Sequence, residues 1–297
     1  MKTSSYKRKP DFFRTRTRRD DEVRKIRLGL RRLHLHTVCE EAHCPNLGEC
    51  FSKKTATFMI LGKICTRNCR FCAVQKGSPL PPDENEPANV AKMAKQLALK
   101  HIVITSPTRD DLADAGAEHF AQTIFQIRKT IPKATVEVLT PDFQGNLEAL
   151  EKVLSAQPEV FNHNLETVPR LYKLVRPKAN YARSLNLLKF AHKNFPHIIT
   201  KSGIMVGLGE TKEEIISLMQ DLKEAGCKVL TIGQYLAPSR KHLPVAKYYQ
   251  PEEYKEFEEV GAGFGLVVFA GPLVRSSYLA GEVFARLKES RDERRIR

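Results

Sequence analysis

Three cysteines fall within eight residues in the stretch KICTRNCRFCAV (63–74): Cys65, Cys69 and Cys72, spaced C-x3-C-x2-C. Three is an awkward number for the common uses of clustered thiols, since a structural zinc ion takes four ligands and a disulfide takes two. Three thiolates can instead hold three irons of a cubane 4Fe-4S cluster and leave the fourth iron without a protein ligand. An iron left open in this way can bind and reduce a small molecule that chelates it. Two other readings stand beside this one. A zinc site would be completed by His36 or His43, though paired C-x2-C knuckles are missing. Cysteines merely packed in a core would take Arg67, Asn68 and Arg70 inside with them.

A second triplet lies upstream in HTVCEEAHCPNLGECF (36–51), where Cys39, Cys44 and Cys50 are spaced C-x4-C-x5-C. Two sets of three read more naturally as two clusters than as one. The vacancy in the second set can be closed by an oxygen or nitrogen ligand far away in sequence. The chain holds seven cysteines, an odd count, and six crowd into residues 39–72, which is not the pattern of a secreted disulfide framework. The seventh, Cys227, enters a strand after a helix and reads as a small buried hydrophobe.

Past the cysteines, short apolar runs alternate with amphipathic stretches. The runs at 57–62, 101–106, 135–140, 160–166, 198–207, 229–235 and 266–271 read as strands. Helical periods occupy 117–130, 181–195 and 211–226, the last opening with the capping-box pair Thr211 and Glu214 and ending at Gly226. Strand and helix alternating at this spacing imply parallel strands with right-handed crossovers. No G-x-G-x-x-G follows the first strand, so the expected class is α/β: a partial (β/α) barrel of about six parallel strands. Chemistry in such a fold gathers on loops leaving the C-terminal ends of the strands. The strand at 57–62 runs directly into the loop carrying Cys65, Cys69 and Cys72, which therefore emerges at that rim.

The net charge of +15 invites a nucleic-acid reading until its distribution is considered. Residues 1–36 hold 13 Lys and Arg against 4 Asp and Glu, and residues 286–297 hold 6 against 3. The body, 37–285, is nearly balanced at 30 against 27, so there is little excess for a broad basic groove. No apolar run of about 18 residues is present and the N-terminus lacks the apolar segment of a secretory signal, so a cytoplasmic protein is expected. The start MKTSSYKRKPDFFRTRTRR has some organellar transit character, but Asp11, Asp20 and Asp21 intrude and favour a retained tail.

The C-x3-C-x2-C triplet after the first strand, with Phe71 before its last cysteine, resembles the signature of the radical S-adenosylmethionine enzymes. With the upstream triplet the resemblance narrows to the lipoyl synthase family and extends over about 25–285. It is carried by ATFMILG (56–62), TRDDLADAGA (108–117), VFNHNLETVPRLY (160–172), KSGIMVGLGET (201–211), LTIGQYLAPSRKHLPV (230–245) and GPLVRSSYLAGE (271–282). Pro107, Ala115, Ala237 and Leu279 depart from the residues common at their positions, Ala115 from a glycine.

The resemblance implies two 4Fe-4S clusters and S-adenosyl-L-methionine as cofactors. Cys65, Cys69 and Cys72 would hold the cluster that chelates S-adenosylmethionine. Cys39, Cys44, Cys50 and Ser277, the second serine of R-S-S-Y, would hold an auxiliary cluster that gives up sulfur. Serine is a hard, readily displaced ligand on iron, which suits a cluster that opens during turnover. Phe71, Thr105, Ser106, Asn164, Glu166 and Arg176 are the expected S-adenosylmethionine contacts, with Asn162 and Lys201 as further polar candidates. The implied organisation is a basic N-terminal extension with the auxiliary triplet (1–54), a radical enzyme barrel (55–265) and a C-terminal extension with the R-S-S-Y motif (266–297).

The implied partners are octanoylated lipoyl-carrier domains of 2-oxoacid dehydrogenases or the glycine cleavage H protein, a flavodoxin or ferredoxin-type reductant, and cluster carrier proteins. The basic arm would help to dock an acidic carrier; neither membrane nor nucleic acid is expected. Two other functions remain open. A radical methylthiotransferase acting on tRNA also uses two clusters, but carries the second as a separate N-terminal domain and usually appends an RNA-binding domain, for which nothing remains after residue 285. A non-catalytic iron–sulfur or zinc protein would leave the βα body unexplained.

Overall fold

The computed structural model describes residues 8–13, 21–53, 55–278, 280–285 and 287. Residues 1–7 and 14–20 of the basic N-terminal arm, to which carrier docking is assigned above, therefore lie outside the described residues, as do Leu279 and most of the basic tail. The strands are β1 (His36–Thr37), β2 (Thr57–Met59), β3 (Ile64–Cys65), β4 (Gln75–Lys76), β5 (His101–Thr105), β6 (Thr135–Leu139), β7 (Val160–Asn162), β8 (Ile199–Val206), β9 (Val229–Gln234) and β10 (Val267–Gly271). The helices are α1 (Asp21–Arg32), α2 (Val38–Glu41), α3 (Leu47–Ser52), α4 (Glu86–Gln96), α5 (Ala117–Thr130), α6 (Leu147–Ser155), α7 (Tyr172–Val175), α8 (Tyr181–Asn194), α9 (Lys212–Glu224) and α10 (Pro251–Gly263).

All seven apolar runs form strands of one sheet, in the order β1-β2-β5-β6-β7-β8-β9-β10. Every pairing from β2 to β10 is parallel, and β1 caps the β2 edge antiparallel. The order is sequential and the sheet does not close, which makes it a partial barrel: six parallel strands, with the seventh, β10, added beyond them. The helix expected at 211–226 is α9, with both bonds of the Thr211–Glu214 capping box formed and Gly226 at φ +76 ending it. Ala115 sits at φ +51, the left-handed conformation that strains an L side chain and that the glycine common there would adopt freely. Among the described residues no helix is long and apolar enough to cross a membrane.

Alternation along the strands divides the core. Ile102, Ile104, Val136, Val138, Ile204, Val206, Leu230 and Ile232 pack outward with the helices. Inside the curve of the sheet, Val160, Ile199 and Val229 meet Val283, Phe284 and Leu287 from the segment after R-S-S-Y. This segment, helical over 280–285, thus fills the barrel near the N-terminal ends of the strands.

Beneath it lies a buried ion pair, Lys201 Nζ at 2.9 and 3.2 Å from the two carboxylate oxygens of Glu137. Asn162 Nδ2 donates to the same carboxylate at 3.0 Å. Two sequence expectations are corrected here. Lys201 and Asn162 face Glu137 rather than the rim, because an ammonium and an amide so deep in the barrel need a buried acceptor and its carboxylate supplies one. Burial pushes the Glu137 carboxyl up, but the Lys201 ammonium and His101 outweigh it and hold it at about 2. A carboxylate depressed in the folded state contributes stability above the ordinary carboxylate range, and the contribution is lost as pH falls toward 2. Lys201→Met strands the carboxylate and is expected to destabilise the protein by about 3–5 kcal/mol at pH 7. Urea unfolding measures this; a loss below about 1 kcal/mol would contradict it.

Candidate active site

The loop bearing the first triplet leaves β2 and is fastened from both sides. Thr66 Oγ1 donates to the Thr108 carbonyl at 3.0 Å, and the Arg70 N–H donates to the Val175 carbonyl at 2.9 Å. Arg67, whose charge argued above against a buried loop, is itself only 5% exposed. It enters because two carboxylates wait for it: Nε and Nη2 reach Asp110 at 2.7 and 2.8 Å, and Nη2 reaches Asp142 at 2.6 Å. Burial raises the Asp142 carboxyl, but hydrogen bonding and charge from Arg67 pull it down to about 2. The guanidinium therefore clamps the cysteine loop to the loops following β5 and β6. Sequence reasoning missed this clamp; the available signal was an acid just past each of two strand ends, Asp110 and Asp142.

Within the loop, Cys65 Sγ accepts from the backbone N–H groups of Arg67 and Thr108 at 3.4 and 3.3 Å. Burial raises the Cys69 thiol and pushes Cys72 up to about 12. A bound metal must displace these protons, and its charge favours that.

The second triplet is built from two short helices. Cys39 lies in α2, whose N-cap Thr37 Oγ1 accepts from the Glu40 N–H at 3.3 Å. The chain reverses through His43 at φ +51, and the Cys44 N–H returns to the Cys39 carbonyl at 3.0 Å. Cys50 follows in α3. Burial pushes Cys39 up to about 12 and Cys50 to about 11. Two long-range bonds bring the R-S-S-Y segment to this triplet: Asn46 Nδ2 donates to the Leu273 carbonyl at 2.7 Å, and the Tyr278 hydroxyl donates to Glu49 Oε1 at 3.3 Å.

A cavity of about 540 Å³ opens at the C-terminal ends of the strands, and it is lined by thirteen of the residues singled out for clusters and cofactor, all but Asn162 and Lys201. Both cysteine triplets and Ser277 thus face one space. Lys9, which sequence reasoning had not picked out, and Arg275 of the R-S-S-Y motif line it too. Phe71 is half-buried against the core. Thr105 Oγ1 donates to the Leu139 carbonyl at 2.8 Å and keeps acceptor capacity toward the cavity. Ser106 Oγ and Arg176 Nε are buried without a hydrogen-bond partner among the described residues. Buried polar atoms left so are costly, and a polar ligand in the cavity would satisfy them. Arg176 also spans the Asn164 and Leu165 carbonyls at 3.0 and 3.1 Å and stands over the Tyr172 ring. Glu166 is half-buried, desolvation raises its carboxyl, and Asn164 Nδ2 donates to it at 3.0 Å.

Among the described residues no group of three or more His, Cys, Asp or Glu side chains converges closely enough to hold a single metal ion. A zinc ion needs its donors at about 2.0–2.3 Å from one centre. His36, one proposed zinc ligand, pairs with Glu41 at 3.4 Å. Cubane clusters place each thiolate on a different iron and so take donors set further apart. Two soft-donor triplets, one beside an oxygen donor and one beside orphaned polar groups, are a donor set that could hold two such clusters and a chelating small molecule.

Residues 59–234 match the Radical SAM superfamily. The chain is 58% identical over 274 residues to the lipoyl synthase of Caldanaerobacter subterraneus subsp. tengcongensis, covering 92% of this chain and 96% of that one. It is 54% identical over 276 residues to the lipoyl synthase of Caldicellulosiruptor saccharolyticus, covering 93% and 97%. Crystal structures of methylornithine synthase (TM-score 0.54, 12% identity, 71% of this chain and 69% of that one) and of Streptococcus suis SuiB bound to S-adenosylmethionine (0.55, 12%, 76% and 53%) share the fold. The open parallel sheet, the cysteine loop after its first strand and identity above one half along nearly the whole length agree, and the chain belongs to the lipoyl synthases of the radical S-adenosylmethionine superfamily.

Proposed function

We propose that the chain completes a lipoyl group in place, inserting two sulfur atoms at carbons 6 and 8 of an octanoyl chain carried on a lysine of a lipoyl-carrier domain. The observation that carries the reading is the shared cavity: two cysteine triplets and Ser277 line one space, so a hydrogen-abstracting centre and a sulfur donor can face the same alkyl chain. Carbons 6 and 8 have no acidity, so no base or nucleophile of the protein can activate them. When bound on Cys65, Cys69 and Cys72, a 4Fe-4S cluster with S-adenosylmethionine supplies the one-electron chemistry that such carbons require.

The chain's own residues hold, orient and exclude. Arg67 fixes the loop from which the three thiols project. Ser106 and Arg176 offer buried polar atoms to the methionine end of S-adenosylmethionine, with Asn164 and Glu166 beside them and Phe71 shielding the loop. Cys39, Cys44, Cys50 and Ser277 would bind the auxiliary cluster, which is consumed as the sulfur-donating substrate. The hydroxyl is the weakest donor of the four, so that corner would open first. The division into 1–54, 55–265 and 266–297 follows this assignment, the two extensions supplying the ligands of the sulfur donor. Reductant and cluster supply would come from a flavodoxin or ferredoxin-type protein and from cluster carrier proteins.

The test is anaerobic. Protein reconstituted with iron and sulfide receives dithionite, S-adenosylmethionine and an octanoyl-lysyl peptide, and products are followed by mass spectrometry. A stepwise gain of one sulfur and then two, each accompanied by 5′-deoxyadenosine, is expected. Deoxyadenosine with no sulfur on the peptide would remove the assigned substrate.

A further inference from the structure

The R-S-S-Y segment rests on two glycines. A Cβ built on Gly233 would stand 2.0 Å from the Val274 carbonyl oxygen, and one on Gly203 would stand 2.8 Å from Asn164 Oδ1 and 3.2 Å from Ser276 Oγ. These glycines lie on the paired strands β8 and β9, so a bare strip of sheet lets the segment lie against it. There Ser276, not Ser277, is pinned: its Oγ donates to Asn164 Oδ1 at 2.8 Å.

The other end of the same amide faces the opposite half of the cavity, where Asn164 Nδ2 donates to Glu166 Oε1 at 3.0 Å. A carboxylate oxygen accepts from the amide NH2, which sets which end of the amide faces which partner. Glu166 itself has little freedom. It is held at φ +67 by its N–H on the Gly203 carbonyl at 3.0 Å and by the Met205 N–H on its own carbonyl at 2.9 Å. Asn164 also accepts Arg176 Nη1 on its main-chain oxygen at 3.0 Å. A rigid amide bonded at both ends cannot move toward one partner without straining the other bond.

From this geometry we infer that Asn164 is a positioning residue coupling the two halves of the cavity: S-adenosylmethionine binding beside Glu166 and Arg176, and docking of the serine segment, reinforce each other through its side chain. The inference rests on the assignment of Glu166 and Arg176 to S-adenosylmethionine. Coupling through one link must be reciprocal. S-adenosylmethionine therefore steadies the auxiliary-cluster segment, and the segment in turn tightens S-adenosylmethionine.

Two equilibrium measurements on the reconstituted protein test this without turnover: the Kd of S-adenosylmethionine, and auxiliary iron retained against a chelator with and without S-adenosylmethionine. Ser276→Ala is expected to weaken S-adenosylmethionine about 5–10-fold, although Ser276 belongs to the other half of the cavity. In wild-type protein S-adenosylmethionine protects auxiliary iron by a matching factor. Asn164→Asp, close in shape, keeps an acceptor for Ser276 but sets a carboxylate against Glu166. With S-adenosylmethionine held at saturation for this variant, it should lose the protection. A Ser276→Ala Kd within twofold of wild type, or protection surviving in Asn164→Asp, would overturn the coupling. Wild-type protein that binds no S-adenosylmethionine would overturn the functional reading, and the coupling with it.

Discussion

If Cys69 holds the cluster as proposed, Cys69→Ala is expected to abolish reductive cleavage of S-adenosylmethionine, with 5′-deoxyadenosine formation falling by more than about 10³-fold, the equivalent of some 4 kcal/mol of lost transition-state stabilisation. The loss is this large because the thiol is not a contributor among many. With two cysteines left on the loop, no site-differentiated cluster is held, and the chelation of S-adenosylmethionine and its reduction disappear together. The scaffold should survive the change. The loop is fastened by Arg67 on Asp110 and Asp142 and by backbone bonds from Thr66 and Arg70, none of which involves the Cys69 side chain. Iron content per chain should fall by about half, leaving the auxiliary cluster as an internal control. Circular dichroism and iron analysis separate this outcome from unfolding, in which both clusters are lost. Deoxyadenosine formation above about a tenth of the wild-type rate would remove Cys69 from the ligand set.

How far the molecule was legible in its sequence depends on the range over which each feature is decided. The ends of α9 were readable because Thr211, Glu214 and Gly226 act within one turn of the helix. All seven strands were readable because each is a short apolar run, and a parallel sheet buried on both faces requires such runs. The cysteine loop was readable because its chemistry lies in spacing along eight residues.

Features settled by residues far apart were not readable. Arg67 looks like a surface residue until it meets Asp110 and Asp142, 43 and 75 positions away. Asn162 looked like a rim residue because β7 ends there, and Lys201 like a free cation for an anionic ligand; only the inward alternation of β7 and β8 turns them onto Glu137. The seat of R-S-S-Y depends on Asn46 and Leu273, 227 residues apart, and on the empty Cβ positions of Gly203 and Gly233. In a strand, glycine gives no sign of what will lie on it.

Cys39→Ala is expected to divide the reaction: sulfur transfer to the octanoyl peptide falls below detection, more than about 10²-fold, while deoxyadenosine formation stays within about threefold of wild type. The two functions should be separable because the thiols proposed to serve them come from different elements, α2 and α3 for one and the loop after β2 for the other. Cys39 is the most enclosed thiol of its triplet, 6% exposed, and its main-chain carbonyl carries the Cys44 N–H that shapes the turn. Alanine keeps that main-chain bond and removes only the sulfur, at a packing cost of about 1 kcal/mol, so the fold is retained. Ser277 and two thiols remain, a set too poor in soft donors to hold a cubane against loss of iron. A cavity with a radical source and no sulfur donor should still release deoxyadenosine and leave the peptide unsulfurated. Continued insertion of two sulfurs by Cys39→Ala, supplied with sulfide alone, would mean that the inserted atoms do not come from this cluster. The two triplets would then need a different division of labour within the same cavity.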